Sequence, residues 1–275
     1  MDSVQPITVL SIAGSDSGGG AGIQADLRTF AAFAVHGTTA LTAVTAQNTL
    51  GVSDVAVLTP SLVVSQVRTV VDDFDVAAVK TGMLGDADVV EAVAALALEG
   101  LLPHLVVDPV LISSTQHLLM RDGGVRAYRE ALFPLATVVT PNLREAALLC
   151  GVDVRDISSL EDMRALGIEL LALGPRYVLV KGGHFAANGS DAPVPDVLMS
   201  ADEVTVFESP RVDTCNDHGT GCSLSAALCA GLGLGRGVSD ATRDAKAFVL
   251  VALQGAAAWH LGKGRGPLDH LGWTK

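Results

Sequence analysis

A mostly parallel α/β/α sandwich, its central sheet covered by helices on both faces, is the fold class that this sequence predicts. Three observations predict it. Segments with strand and helix patterns alternate along the chain, the strand segments are near-continuous apolar runs, and no repeat or disordered linker interrupts the alternation.

Residues 7–13 form a short, β-branched apolar run ended by Gly14, and residues 22–34 carry Ile23, Leu27, Phe30, Ala31 and Ala34 at helical spacing. This is a strand, a glycine loop and a helix. Residues 38–46 read as a strand, and Pro60 opens a helix to about Val71 from its favoured first position. A strand at 76–80, a helix at 86–98 and a buried strand at 104–108 continue the series. A loop, a helix near 124–132, a strand at 137–140, a helix starting beside Asn142 and a helix near 160–173 lead to a strand at 177–181. Between 184 and 207 the chain turns polar around two short apolar pieces and reads as a surface hairpin. Helices at 222–232 and 239–260 close it, the second rich in alanine and valine and so well buried.

With 275 residues, 49% of them hydrophobic, the chain can bury a large core, and a single domain over 1–275 is expected. No apolar run approaches the roughly 18 residues that a membrane span needs, and no basic start with a cleavage site precedes the first strand. A cytoplasmic protein with no membrane partner is expected. The four cysteines, Cys150, Cys215, Cys222 and Cys229, form no CxxC pair, so reduced thiols are expected. A net charge of −12, with only 18 scattered Lys and Arg, argues against a nucleic-acid surface. A small ligand is indicated. If it is anionic, a local device must hold it: a helix N-terminus, chosen cations or a metal.

The segment Asn216-Asp-His-Gly-Thr-Gly-Cys222, running into a small-residue helix, is such a device. Its glycines allow a sharp turn and close approach, and the helix aims unpaired N–H groups at a ligand. The same residues also suit plain loop closure, with Cys222 as a small buried side chain. Ligands of open parallel sheets lie outside the carboxyl ends of the strands. The residues at those ends are the 14–22 loop, Gln47, residues 80–83, Asp108, Asn142, Glu145, Lys181 and the 219–222 turn.

Structural and functional readings stand side by side for most of these residues. The 14–22 loop lacks both the Walker ending and GxGxxG spacing, leaving a flexible flap over a substrate or an ordinary loop. Asp26, on its own, reads as a solvated carboxylate. Asn142 and Glu145, three apart on one helical face, either hold the water shell of Mg²⁺ or form a capping box. Asp108 contacts magnesium, orients a neighbour or caps a turn. Lys181 ends a buried strand before two glycines, which suits an anion or a snorkelling side chain. His184, His218, Cys215 and Cys222 fit no common zinc spacing.

Taken together, Ile12-Ala-Gly-Ser-Asp16, Gly20-Ala-Gly-Ile-Gln-Ala-Asp26, Thr45-Ala-Gln-Asn-Thr49, Lys80-Thr-Gly-Met-Leu84, Val107-Asp-Pro-Val110, Thr140-Pro-Asn142, Lys181-Gly-Gly-His184 and His218-Gly-Thr-Gly-Cys222 resemble the hydroxymethylpyrimidine/phosphomethylpyrimidine kinase family of thiamine biosynthesis. That family is ribokinase-like. The resemblance runs in consistent order along nearly the whole chain. It implies an ATP-dependent kinase, aided by Mg²⁺, that phosphorylates the hydroxymethyl group of 4-amino-5-hydroxymethyl-2-methylpyrimidine and then its monophosphate.

By position, the resemblance implies that the pyrimidine meets Gly14, Asp26, Gln47, Met83 and Val110. ATP phosphates meet Lys181, His218, Gly219, Thr220 and Gly221, while Asn142, Glu145 and Asp108 help place Mg²⁺. Cys222 sits at the acceptor hydroxyl as base or scaffold, with Lys181, Gly219 and Gly221 completing the catalytic set, and a helix N-terminus is expected to lower its pKa. A homodimer is expected. Among enzymes the alternative is a pyridoxal or pyridoxine kinase; outside them it is a ligand-binding or regulatory protein that keeps the fold. The chain departs from the family at Asp217, where a threonine is common, placing an extra acid beside the expected triphosphate.

Overall fold

In the computed structural model of the protein, residues 5–112, 120, 123–183 and 192–274 are described. Strands alternate their side chains between two faces, and this sorts the apolar runs into two cores. In β1 (Thr8–Ala13), Val9 enters one core while Leu10 and Ile12 enter the other. The chain continues through α1 (Gly22–Ala32), β2 (His36–Leu41), β3 (Ala43–Asn48), β4 (Gly51–Val57), α2 (Pro60–Val71), β5 (Val76–Thr81) and α3 (Ala87–Leu98). Next come β6 (Val106–Val107), α4 (Gly124–Ala127) with a π-helical turn to Leu132, β7 (Val138–Val139), α5 (Leu143–Cys150) and α6 (Leu160–Leu171). It ends with β8 (Tyr177–Lys181), β9 (Val194–Met199), β10 (Val204–Ser209), α7 (Thr220–Gly233) and α8 (Val238–Ala256).

The main sheet has the order β10-β9-β8-β7-β6-β5-β1-β2, parallel from β8 to β2 and antiparallel at β9 and β10. The doublets Ala78 and Val79, Val106 and Val107, and Val138 and Val139 each send one side chain to either face. Helices α2 to α6 cover the first core; α1, α7 and α8 cover the second. Helix starts follow local chemistry. Thr59 caps α2 ahead of Pro60, Asp86 caps α3, and Ser159 with Asp162 forms a capping box on α6.

Two expectations are corrected. The strand expected at 38–46 is two strands: β2 stops at Leu41, and β3 turns away to pair antiparallel with β4 as a separate ribbon. Its apolar residues, Val52, Val55, Ala56 and Val57, do not alternate cleanly with polar ones and none is fully buried, so its pattern gave no strand signal. The hairpin expected on the surface between 184 and 207 exists as β9 and β10, but β9 joins β8 and buries Val197, Leu198 and Met199. Those three side chains pack into both cores, which is why the hairpin extends the sheet. Residues 184–191 lie outside the described residues. Among the described residues no helix is long and apolar enough to cross a membrane.

Candidate active site

The parallel strands all end at one edge, where a cleft of about 840 Å³ opens. That volume suits a small-molecule site. Its floor is the start of α7. Gly219 turns the chain there with φ +88°, and a Cβ at Gly219 would lie 1.9 Å from the Gly20 carbonyl oxygen. Only glycine fits. Residues from Ser223 to Leu232 are buried, which fixes the helix axis, and no side chain caps its N-terminus. The Thr220 N–H donates to the Asp217 carbonyl at 3.3 Å, which leaves the next N–H groups of the first turn and the positive end of the dipole to face the cleft.

Cys222 lies half-buried on this turn and lines the cleft. Burial pushes its thiol up to about 11, against the pull of the Lys80 ammonium. The expected lowering is thereby corrected: desolvation, with Asp26 and Asp108 nearby, outweighs the Lys80 ammonium and the Gly22 N–H.

Lys181, at the end of β8, stands beside the same turn, since a Cβ on Gly221 would come within 3.2 Å of its Nζ. Its ammonium donates to Asp108 Oδ1 at 2.8 Å. Asp108 also accepts from the hydroxyls of Ser225 at 3.1 Å and Thr140 at 3.3 Å. Burial pulls the Lys181 proton affinity down, but Asp108 and Glu145 more than offset it, so the group stays charged. Glu145 pays the opposite way: burial raises its carboxyl to about 8 despite Lys181. Asn142 and Glu145 form the capping box, with Asn142 Oδ1 accepting from the Glu145 N–H at 3.0 Å and Glu145 Oε2 from the Asn142 N–H at 2.9 Å. Both also line the cleft.

At the other end Gly14, Gln47, Met83 and Val110 line the wall. A Cβ on Gly14 would meet Met83 Cε at 2.5 Å, so glycine lets the two strand ends close up. Gln47 Nε2 is 3.1 Å from His218 Nε2, which lies 2.9 Å from Asp16 Oδ2. His218 thus reaches toward the 14–22 loop and Gln47 while lining the cleft beside the Gly219 turn. The loop is bonded within itself. The Asp16 carboxylate accepts from the N–H groups of Gly18, Gly20 and Ala21 at 2.8, 3.0 and 2.8 Å.

For Asp26 the solvated-carboxylate reading is corrected. It is fully buried behind the cleft, does not line it, and accepts from Lys80 Nζ and the Ser11 hydroxyl, each at 2.6 Å. Burial favours a neutral carboxyl there, yet Asp26 together with Cys222 and Asp108 holds the Lys80 proton tightly; we read the pair as ionised. Lys80 does line the cleft. Its signal was in the sequence, because it ends an apolar strand just as Lys181 does.

The extra acid, Asp217, accepts from Arg265 Nε at 2.7 Å and is paired again through Nη2, so its charge is matched at the cleft wall. Arg265, Asp196 and Lys246 are cleft residues that the sequence reading missed, because each reaches the site from a loop or element far from the glycine motifs, whereas Asp16 lies within the 14–22 loop but was given no role of its own. Cys215 is exposed, all four cysteines are free thiols, and His184 lies outside the described residues.

A ribokinase-like α/β/α kinase is what this sheet, edge cleft and uncapped helix start define. The family model described as phosphomethylpyrimidine kinase matches residues 16–269, and the chain belongs to that family. A hydroxymethylpyrimidine/phosphomethylpyrimidine kinase of Streptomyces coelicolor is 47% identical over 98% of this chain and 96% of its own length. The one from Mycobacterium leprae is 46% identical over 97% and 94%. Among solved structures, an ADP complex of Bacillus subtilis pyridoxal kinase aligns with a TM-score of 0.86 at 37% identity, covering 97% of this chain and 98% of that one. A Clostridium difficile phosphomethylpyrimidine kinase aligns at 0.77 and 36% identity, covering 90% and 99%.

Proposed function

We propose that the protein transfers the γ-phosphoryl group of ATP to the hydroxymethyl oxygen of 4-amino-5-hydroxymethyl-2-methylpyrimidine, and then to its monophosphate. The observation that carries this reading is the meeting of three groups on one turn: the uncapped start of α7, the Lys181 ammonium and the half-buried Cys222, whose thiol lines the cleft. Phosphoryl transfer asks chiefly for alignment and charge neutralisation, and amides with a lysine supply both.

In this reading the Gly219, Gly221 and Cys222 amides and Lys181 receive the phosphates, and Asp108 holds Lys181 in place. Gln47 hydrogen-bonds the aminopyrimidine edge, while Met83 and Val110 pack on the ring and Gly14 admits it. Asp26 acts indirectly, by holding the Lys80 ammonium at the cleft. Val249, Leu250 and Leu253 on α8 offer an apolar wall for the nucleobase.

Among the described residues no three His, Cys, Asp or Glu side chains converge as a ligand set. Magnesium that keeps its waters and binds mainly through phosphates needs no such cage. The oxygen donors fit it: the buried Glu145 carboxyl is driven toward neutrality for want of enough positive charge, which a divalent cation would supply. Glu145, with Asn142 and Asp108, would hold the ion through its water shell, and the ion neutralises phosphate charge when bound.

Cys222 faces the acceptor. In the fraction of molecules where it is already ionised, its thiolate accepts the hydroxymethyl proton as the oxygen–phosphorus bond forms and ADP leaves; as a neutral thiol it only holds the hydroxyl in place. A coupled ADP-release assay with the pyrimidine and with pyridoxal tests the reading; faster turnover of the pyrimidine is expected. Faster turnover of pyridoxal overturns the substrate, and no ADP release with either points to a binding protein.

A further inference from the structure

Behind Lys181 lies a second buried ion pair that no role above uses. Asp196, on β9, stands directly opposite Lys181 in the antiparallel pairing with β8. Its Oδ1 accepts from the Gly182 N–H at 2.8 Å, and its Oδ2 accepts from Lys246 Nζ at 2.6 Å. Lys246 projects from α8 and also donates to the Val194 carbonyl at 3.0 Å. Asp196 and Lys246 are 5% and 8% exposed, and both line the cleft.

A buried ion pair contributes little net stability compared with an apolar pair of the same shape. Here an apolar pair would leave the buried Gly182 N–H without a partner, at the point where the strand that carries Lys181 ends. Packing is tight there. A Cβ on Gly182 would lie 1.9 Å from the Pro195 carbonyl oxygen, so the Asp196 bond and this contact together set the path of the chain after Lys181. A lone carboxylate on this wall would repel an incoming polyanion, and Lys246 cancels that charge.

We infer that Asp196 is a positioning residue for the nucleotide: through Gly182 it fixes the end of β8, and so the Lys181 ammonium, while Lys246 keeps it compatible with phosphate. The inference rests on the phosphates binding at Lys181, as proposed above. Two double variants of the full chain separate the hydrogen bond from the charges. Asp196→Asn with Lys246→Met removes both charges and keeps an acceptor for Gly182; Asp196→Ala with Lys246→Met removes the acceptor too.

The readouts are ADP affinity by calorimetry, KM for ATP and for the acceptor, and thermal melting to verify folding. The asparagine variant is expected to bind ADP within about threefold of the parent chain, and the alanine variant about tenfold more weakly, the scale on which supports behind a binding group act. KM for ATP follows, and KM for the acceptor does not. Equal affinity in the two variants, or equal loss in both, overturns the inference. ADP binding by a chain that phosphorylates neither ring would sink the proposed substrate and leave this test standing.

Discussion

Lys80 Nζ lies 2.6 Å from Asp26 Oδ1, and neither side chain has any exposed surface. The pair joins the end of β5 to α1 and presents one lysine to the cleft. Removing one partner strands the other charge in the core. Asp26→Ala is expected to cost about 3–5 kcal/mol in urea unfolding, and the double variant with Lys80→Met much less. A single-variant loss below about 1 kcal/mol, the scale of exposed pairs, contradicts the ionised pair.

Cys222 ties rate to pH. Because its thiol sits near 11, the thiolate fraction rises about tenfold per pH unit below that value. With the thiolate as base, kcat/KM climbs in proportion from pH 7 to 9, and Cys222→Ala lowers kcat by roughly 10²-fold and flattens the profile. An alanine variant with near-normal turnover removes the thiol from the chemistry.

Glu145 ties stability to pH in the reverse sense. Its folded carboxyl holds a proton up to about 8, against 4.5 ordinarily, so folding takes up a proton between those values and stability falls as pH rises through them. Glu145→Gln keeps a capping residue and carries no such charge. Chemical denaturation at pH 5 and pH 8 should show a smaller drop for the variant; equal drops refute the buried carboxyl's part.

Gly219→Ala forces a Cβ onto the Gly20 carbonyl in a left-handed backbone. Displacement of the amide donors is expected to lower kcat by about 10²- to 10³-fold, as loss of one oxyanion donor does. Steady-state kinetics near the parent values would show that the turn does not hold phosphate.

Arg265→Ala leaves Asp217 uncompensated at the cleft. KM for ATP should rise several-fold while the melting temperature barely moves, since a half-exposed pair contributes less than about 1 kcal/mol. Adding Asp217→Thr should restore KM, and failure to restore it assigns Arg265 a contact of its own.

Much of this was legible in the sequence. The apolar runs of β1, β5 and β8 and the glycine turn before α7 are local signals, and each strand end they locate lies on the cleft. Gly14, Gln47, Met83 and Val110 fell where the motifs put them. The direction of a side chain was not legible. Asp26 and Asp16 sit ten residues apart in the same motif region, yet helix phase turns the first into the core while loop geometry leaves the second to gather amides. His218 follows Asp16 for the same reason, and the β3 and β4 ribbon escaped notice because only one of its strands carries a pattern.

Asp16 and His218 are 202 residues apart in the chain, and their contact closes one end of the cleft. During synthesis, all six parallel strands of the sheet are made while this end of the cleft is still open. Loop closure over that span is slow and comes late. The cleft therefore becomes a site only when α7 has been made and docked. A nascent or truncated chain that stops before it holds a sheet without a phosphate cradle, and ligand can stabilise only the finished protein.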